Sequence, residues 1–245
     1  MSDGPWSSGA LEAEDTSLVQ LPTEVIHALS RGDLEAAQAF SNTAVAPDVL
    51  TPYLVSPEGL DVWRMSSEQV AAAPGKTGWV ARLIVDFGAQ RTVGWAGFRG
   101  PPDPVGVVEI GYAVDPVHRR KGYAEAALVI LLEKAEALPE VRTVRASLST
   151  DDLLCRRLVT RYGFVNVGEH KDDESERLAI FERTLPPHMP SLRPRKESDD
   201  VGSGSSEPAG EALAGHEQLE IPAHPAAALS LGQRLATFVR NLTGR

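Results

Sequence analysis

The residues with the clearest capacity for chemistry sit together in residues 108–128, VEIGYAVDPVHRRKGYAEAAL. An apolar stretch gives way to Asp115-Pro116, then to the basic turn Arg119-Arg120-Lys121-Gly122, then at once to a helix-forming run opened by Tyr123 and Ala124. A strand that ends in a turn and restarts as a helix presents unpaired backbone N–H groups and the positive end of the helix dipole at one point. Three cationic side chains add full charge there, Gly122 permits close backbone approach, and small Ala124 keeps the helix start open. The combination predicts a cradle for a phosphate or pyrophosphate. The competing reading is a basic turn that water simply solvates. Elsewhere the chemistry is thin. Gly75-Lys76-Thr77 lacks the P-loop glycine five residues upstream, where Val70 stands. The six histidines form no i, i+4 pair, and one cysteine, Cys155, allows neither an internal disulfide nor a cysteine metal cluster, so no metal site is expected.

The elements that must hold this turn read as a mixed α/β pattern. Ser17–Leu21 is a short strand, followed by a helix over Thr23–Asn42 that breaks at Gly32 and restarts with Asp33 as N-cap. Residues 43–77 read as irregular, punctuated by Pro47, Pro52, Pro57 and Pro74. Trp79–Phe87 and Val93–Arg99 form a hairpin around Gly88–Arg91, and Val107–Val114 is the next strand. Tyr123–Leu138 is a helix, Thr143–Leu148 a strand and Leu153–Tyr162 a second helix. A last hairpin joins Phe164–Glu169 to Arg177–Arg183.

With these motifs in these places the sequence resembles the GNAT superfamily of acyl-CoA-dependent N-acetyltransferases, and most of all its ribosomal-protein N-terminal acetyltransferase branch. Arg119-x-x-Gly122-x-Ala124 is similar to the family's coenzyme A signature, and the block ending in Arg161-Tyr162-Gly163-Phe164 is similar to its second conserved block. The resemblance covers about residues 16–185 and implies an α/β (α+β) GNAT fold: a central mixed, mostly antiparallel, splayed sheet flanked by helices. It implies acetyl-CoA as cosubstrate and a primary amine as acceptor, acylated by direct attack in a ternary complex. It also implies that amides over Arg119, Arg120, Lys121, Gly122, Tyr123 and Ala124 hold the coenzyme pyrophosphate. Ala113 and Val114 pair with the pantetheine arm, and the Val114 amide polarises the thioester carbonyl. Glu109 falls where several relatives place a general base; the alternative is a strand carboxylate paired with an arginine. The sequence departs from the family at three places: Val159 stands where many relatives carry a general-acid Tyr, and Asp152 and Cys155 stand for a coenzyme-contacting Asn and Ser. These departures support an alternative, a non-catalytic acyl-CoA-binding or sensing module.

Composition sets the class. A chain of 245 residues, 42% hydrophobic and 24% charged, has enough apolar content for a core. It has no run approaching the ~20 apolar residues of a membrane span. No secretory signal is visible after Met1, and a lone cysteine fits a reducing compartment, so a soluble cytoplasmic protein is expected. The net charge of −10 argues against nucleic acid as a partner. Residues 1–15 are expected to be a flexible N-terminus. The composition breaks after Leu185: residues 186–225 read as a disordered Pro/Gly/Ser-rich linker. Residues 226–245 read as an amphipathic helix, with Leu231, Leu235, Phe238, Val239 and Leu242 on one face, suited to a partner or a membrane surface and otherwise a tail helix. Because residues 186–245 hold 6 Lys+Arg against 7 Asp+Glu, the acidity belongs to the first 185 residues.

Overall fold

The computed structural model describes residues 4–41, 50–171 and 177–187. The linker and terminal-helix expectations, and the acidic turn of the last hairpin, lie outside them. Seven strands form one sheet in the order β1-β2-β3-β4-β5-β7-β6: β1 Thr16–Val19, β2 Ala81–Asp86, β3 Arg91–Phe98, β4 Val107–Val114, β5 Thr143–Ser149, β6 Val165–Lys171 and β7 Arg177–Thr184. Every neighbouring pair is antiparallel except β4 with β5. That parallel pair is brief, running only from Val107–Thr143 to Glu109–Arg145. Past that row β4 and β5 diverge, while β5 stays paired with β7 out to Ser149.

Two cores cover the two faces. Side chains at alternate positions of β4, namely Val108, Ile110, Tyr112 and Val114, join Ala126–Leu128 and Ile130–Leu132 of α4 (Tyr123–Glu136) and Val159 of α5 (Leu153–Arg161). Ala113, of opposite parity, joins the core made with α1 (Thr23–Ser30), α2 (Leu34–Ser41) and α3 (Pro57–Ala72). The break between α1 and α2 falls as expected: Gly32 takes φ 76°, and Asp33 Oδ1 accepts from the Ala36 N–H at 2.9 Å.

Two expectations are corrected. Residues 43–77 are not irregular throughout, because α3 occupies Pro57–Ala72. Ser56 caps it by accepting from Gly59 N, and Pro57 sits in the first turn, where a missing N–H costs nothing. Residues 4–15 are not loose. Trp6 is 1% exposed, exchanges both backbone hydrogen bonds with Leu18, and packs its ring 5.7 Å from Phe98. The buried Arg82 guanidinium lies 3.6 Å over the same ring and donates to Gly4 O. One large indole is enough apolar area to pin a short segment that composition alone marks as polar.

Candidate active site

The divergence of β4 from β5 opens a slot on the α4–α5 face, a cavity of about 940 Å³ lined by the β4 end, the basic turn, and the N-terminal ends of both helices. Its mouth is the turn predicted from sequence. Arg120 takes φ 63° and Gly122 φ 87°, two left-handed residues that aim successive backbone N–H groups outward, and α4 starts at Gly122 with no side-chain cap. A Cβ built on Gly122 meets nothing within 4 Å, so the cradle in front of these amides is open space. Val114, Arg119, Arg120, Gly122, Tyr123, Ala124, Asp152 and Cys155 all line the cavity, as does His118. Lys121 is exposed and outside the lining. Its charge acts from the rim.

Backbone alternation decides which β4 residues face the slot. Arg99 N–H donates to Glu109 O and Asp115 N–H donates to Val93 O, so the odd-numbered residues of β4 turn their amides toward β3. Those of Tyr112 and Val114 therefore point the other way, into the slot. Ala113, expected to pair there, is committed to β3, and the slot-facing pair is Tyr112 and Val114. Arg119 Nε already donates to Val114 O at 3.0 Å.

The α5 side of the slot is built by its cap. Asp152 Oδ1 accepts from the Cys155 N–H at 2.9 Å, so this carboxylate ends a helix and faces its positive pole. Burial, reinforced by Asp152, pushes the Cys155 thiol far above its ordinary range. Cys155 is thus a neutral thiol. Tyr112 is the residue that sequence reasoning missed: 7% exposed, lining the cavity, its hydroxyl buried with the neutral Cys155 thiol, a weak acceptor, beside it. The period-2 pattern of β4 was the available signal, since it puts a phenol among aliphatic side chains on the slot face. Val159 is fully buried and has no proton to offer.

Around this site several polar groups are tied to one another. Tyr123 donates to Asp86 Oδ2 at 2.5 Å, fixing the start of α4 to the end of β2. Glu125 is held by Arg161 and by the Tyr162 hydroxyl, whose pKa is pushed up to about 12 by burial and that hydrogen bond. Tyr162 is therefore a brace between α4 and α5. Glu109 does not line the cavity. It stands in the last paired row of β4 and β5, its Oε1 3.8 Å from Arg99 Nε. Burial pushes the Arg99 pKa down and Glu109 opposes that shift. Among the described residues no helix is long and apolar enough to cross a membrane, and no group of three His, Cys, Asp or Glu is placed to hold a metal ion.

A slotted sheet with an uncapped, basic helix start at its mouth places the chain beside a known enzyme family. The acetyltransferase (GNAT) domain family matches residues 25–165, and the chain belongs to that family. Among curated relatives, the N-acetyltransferase YjdG of Bacillus subtilis, itself uncharacterised, is 34% identical over 91 residues, 37% of this chain and 54% of that protein. The chain thus spans about half the length of that relative. Among solved structures, the ribosomal-protein-S5-alanine acetyltransferase from Vibrio fischeri superposes with a TM-score of 0.51 at 14% identity, covering 72% of this chain and 97% of that one. The microcin C7 self-immunity acetyltransferase MccE, solved with acetyl-CoA and AMP, gives 0.49 at 14% identity over 73% and 97%.

Proposed function

We propose that this acetyltransferase moves an acetyl group from acetyl-CoA to a primary amine, on a small molecule or on a protein N-terminus or lysine, by direct attack while both are bound. The observation that carries the reading is the open slot beyond the Glu109–Arg145 row, with the uncapped start of α4 at its mouth. The residues present fit the coenzyme. The Arg119 N–H is turned to Pro116 O, and the N–H groups from Arg120 to Ala124 with the guanidinium groups of Arg119 and Arg120 suit its pyrophosphate. The slot-facing amides of Tyr112 and Val114 suit the pantetheine arm and the thioester carbonyl. The coenzyme supplies an activated acyl group.

The protein's remaining task is to orient the amine and take its proton. A lysine-type amine is neutral only about one time in a thousand at pH 7, an α-amine roughly one time in ten. Glu109, at the fork of the sheet and oriented by Arg99, is the carboxylate we assign to that proton, through a water. The acceptor enters from the face opposite α4 and α5, beside α1 and α3. A neutral Cys155 supports transfer without an acyl-cysteine stage. Dependence on acyl-CoA and a single thiol fit the cytoplasm, with no role for nucleic acid.

Acetyl-CoA at a hundred times its Kd is expected to add about 2.7 kcal/mol of stability, a rise of several degrees in Tm. A panel of amines should then release free coenzyme A thiol. Absence of a shift at millimolar acetyl-CoA removes the coenzyme assignment. A shift with no thiol release for any amine returns the protein to a sensing role.

A further inference from the structure

We propose that the Tyr112 hydroxyl is the proton donor to the departing thiol. The inference rests on the acetyl-transfer reading and goes beyond it by assigning a general acid. The slot is buried, and a thiolate leaving into it is penalised by desolvation unless a donor meets it. The family's usual donor position offers nothing, because Val159 is aliphatic and fully enclosed.

Among the described side chains that line the cavity, the proton-bearing groups differ in what they are free to do. Tyr123 is committed to Asp86. His118, whose Nδ1 is also buried without a partner, belongs to the turn at the mouth, four residues past the end of β4 and on the pyrophosphate side. Cys155 lies beside Tyr112. Tyr112 sits two residues further along β4 toward the fork than Val114, and its hydroxyl is buried with only the neutral Cys155 thiol beside it. That leaves one strong donor deep in the slot, met only by a weak thiol acceptor, on the strand whose amides face the slot. A buried phenol in this state is costly unless a ligand completes it.

The step balances. The amine nitrogen bonds to the acyl carbon as the C–S bond breaks, and the electron pair of that bond goes to sulfur, which takes the phenolic proton. The acceptor nitrogen loses its proton to the base, and the phenolate regains one from solvent. Burial, with Cys155 and Asp152 nearby, holds the Tyr112 phenol protonated well above its ordinary range. The same burial raises a thiol in this slot, as it does Cys155, so donor and acceptor move together.

The test uses bound coenzyme A as well as turnover. In the wild-type protein the bound thiol, followed by the ultraviolet absorbance of its thiolate, should titrate at lower pH than in Tyr112→Phe, because the phenol favours the charged form. The variant should keep the acetyl-CoA-induced rise in Tm and lose about a hundredfold in kcat. Superimposable titrations, or a kcat within twofold, would overturn the assignment while leaving the acetyl-transfer reading in place. If the wild-type protein binds no coenzyme A, that reading falls and this one with it. Should the Phe variant lose its fold, fluorotyrosine at position 112, nearly isosteric and more acidic, must lower the bound-thiol titration further; no change there also overturns it.

Discussion

Glu109 carries two demands that pull against each other. It lies 3.8 Å from a buried guanidinium whose charge it offsets, and it is the carboxylate assigned to the acceptor proton. Replacing it with Gln should therefore have a stability effect regardless of catalysis, about 1–3 kcal/mol, because Arg99 loses its counter-charge. The catalytic part separates by acceptor. With acetyl-CoA binding retained, Glu109→Gln should slow transfer to a lysine-type amine far more than to an α-amine, since only the first depends heavily on deprotonation. Equal slowing of both would leave Glu109 a structural partner of Arg99. The sequence presented both readings of this residue, and the ion pair with Arg99 is the one the structure shows. Asp152 is similar: the family resemblance implied a coenzyme contact, and the structure gives it a capping bond to Cys155 that any N-cap Asp could make. Tyr112 went unread because a tyrosine in a strand is ordinary; what distinguishes it is a hydroxyl buried at the slot wall beside Cys155, and that is a three-dimensional property.

At the scale of elements, the junction of β4 and α4 was legible from local rules alone. Alternation gives the strand, Asp115-Pro116 stops it, and Gly122 at φ 87° turns the chain into the helix. The same glycine gives a sharp prediction. Gly122→Val places a branched side chain in the open cradle and forces a β-branched residue into a left-handed conformation. The acetyl-CoA-induced rise in Tm should disappear, while the protein without ligand loses about 1–3 kcal/mol. A variant that keeps the full rise would remove the turn from the binding site. α3 was missed for the converse reason. Four prolines over residues 47–74 read as breakers, yet Pro57 is an initiator because Ser56 precedes it as a cap. Proline's meaning depends on which end of a helix it meets, and the weak apolar patterning of α3 gave no independent vote.

At the scale of the molecule, the fold is two cores on one sheet, and its edge is finished by the N-terminal segment. Trp6 joins the α4–α5 core through Leu18 and Phe98 and stacks under Arg82. Trp6→Ala should cost about 3–5 kcal/mol in thermal or denaturant unfolding. A loose segment would give no measurable change. The sheet also explains how an acidic chain can hold a polyanion. Net charge is a sum over the surface, whereas the cradle is a local arrangement of amides, Arg119 and Arg120, with Glu125 bound by Arg161 and Tyr162 and Asp152 facing its own helix.

By itself the sequence determined the order and type of most elements around the site and the place of the basic turn, since these follow from periodicity, capping and turn chemistry within short windows; the family came from the resemblance of its motifs. Only the tertiary structure decided where β4 leaves β5, which amides then face the opening, and that Tyr112, Cys155 and Asp152 meet across it. Those facts depend on pairing between segments far apart in the chain, where one residue of register exchanges the amides that face the slot for those that face β3.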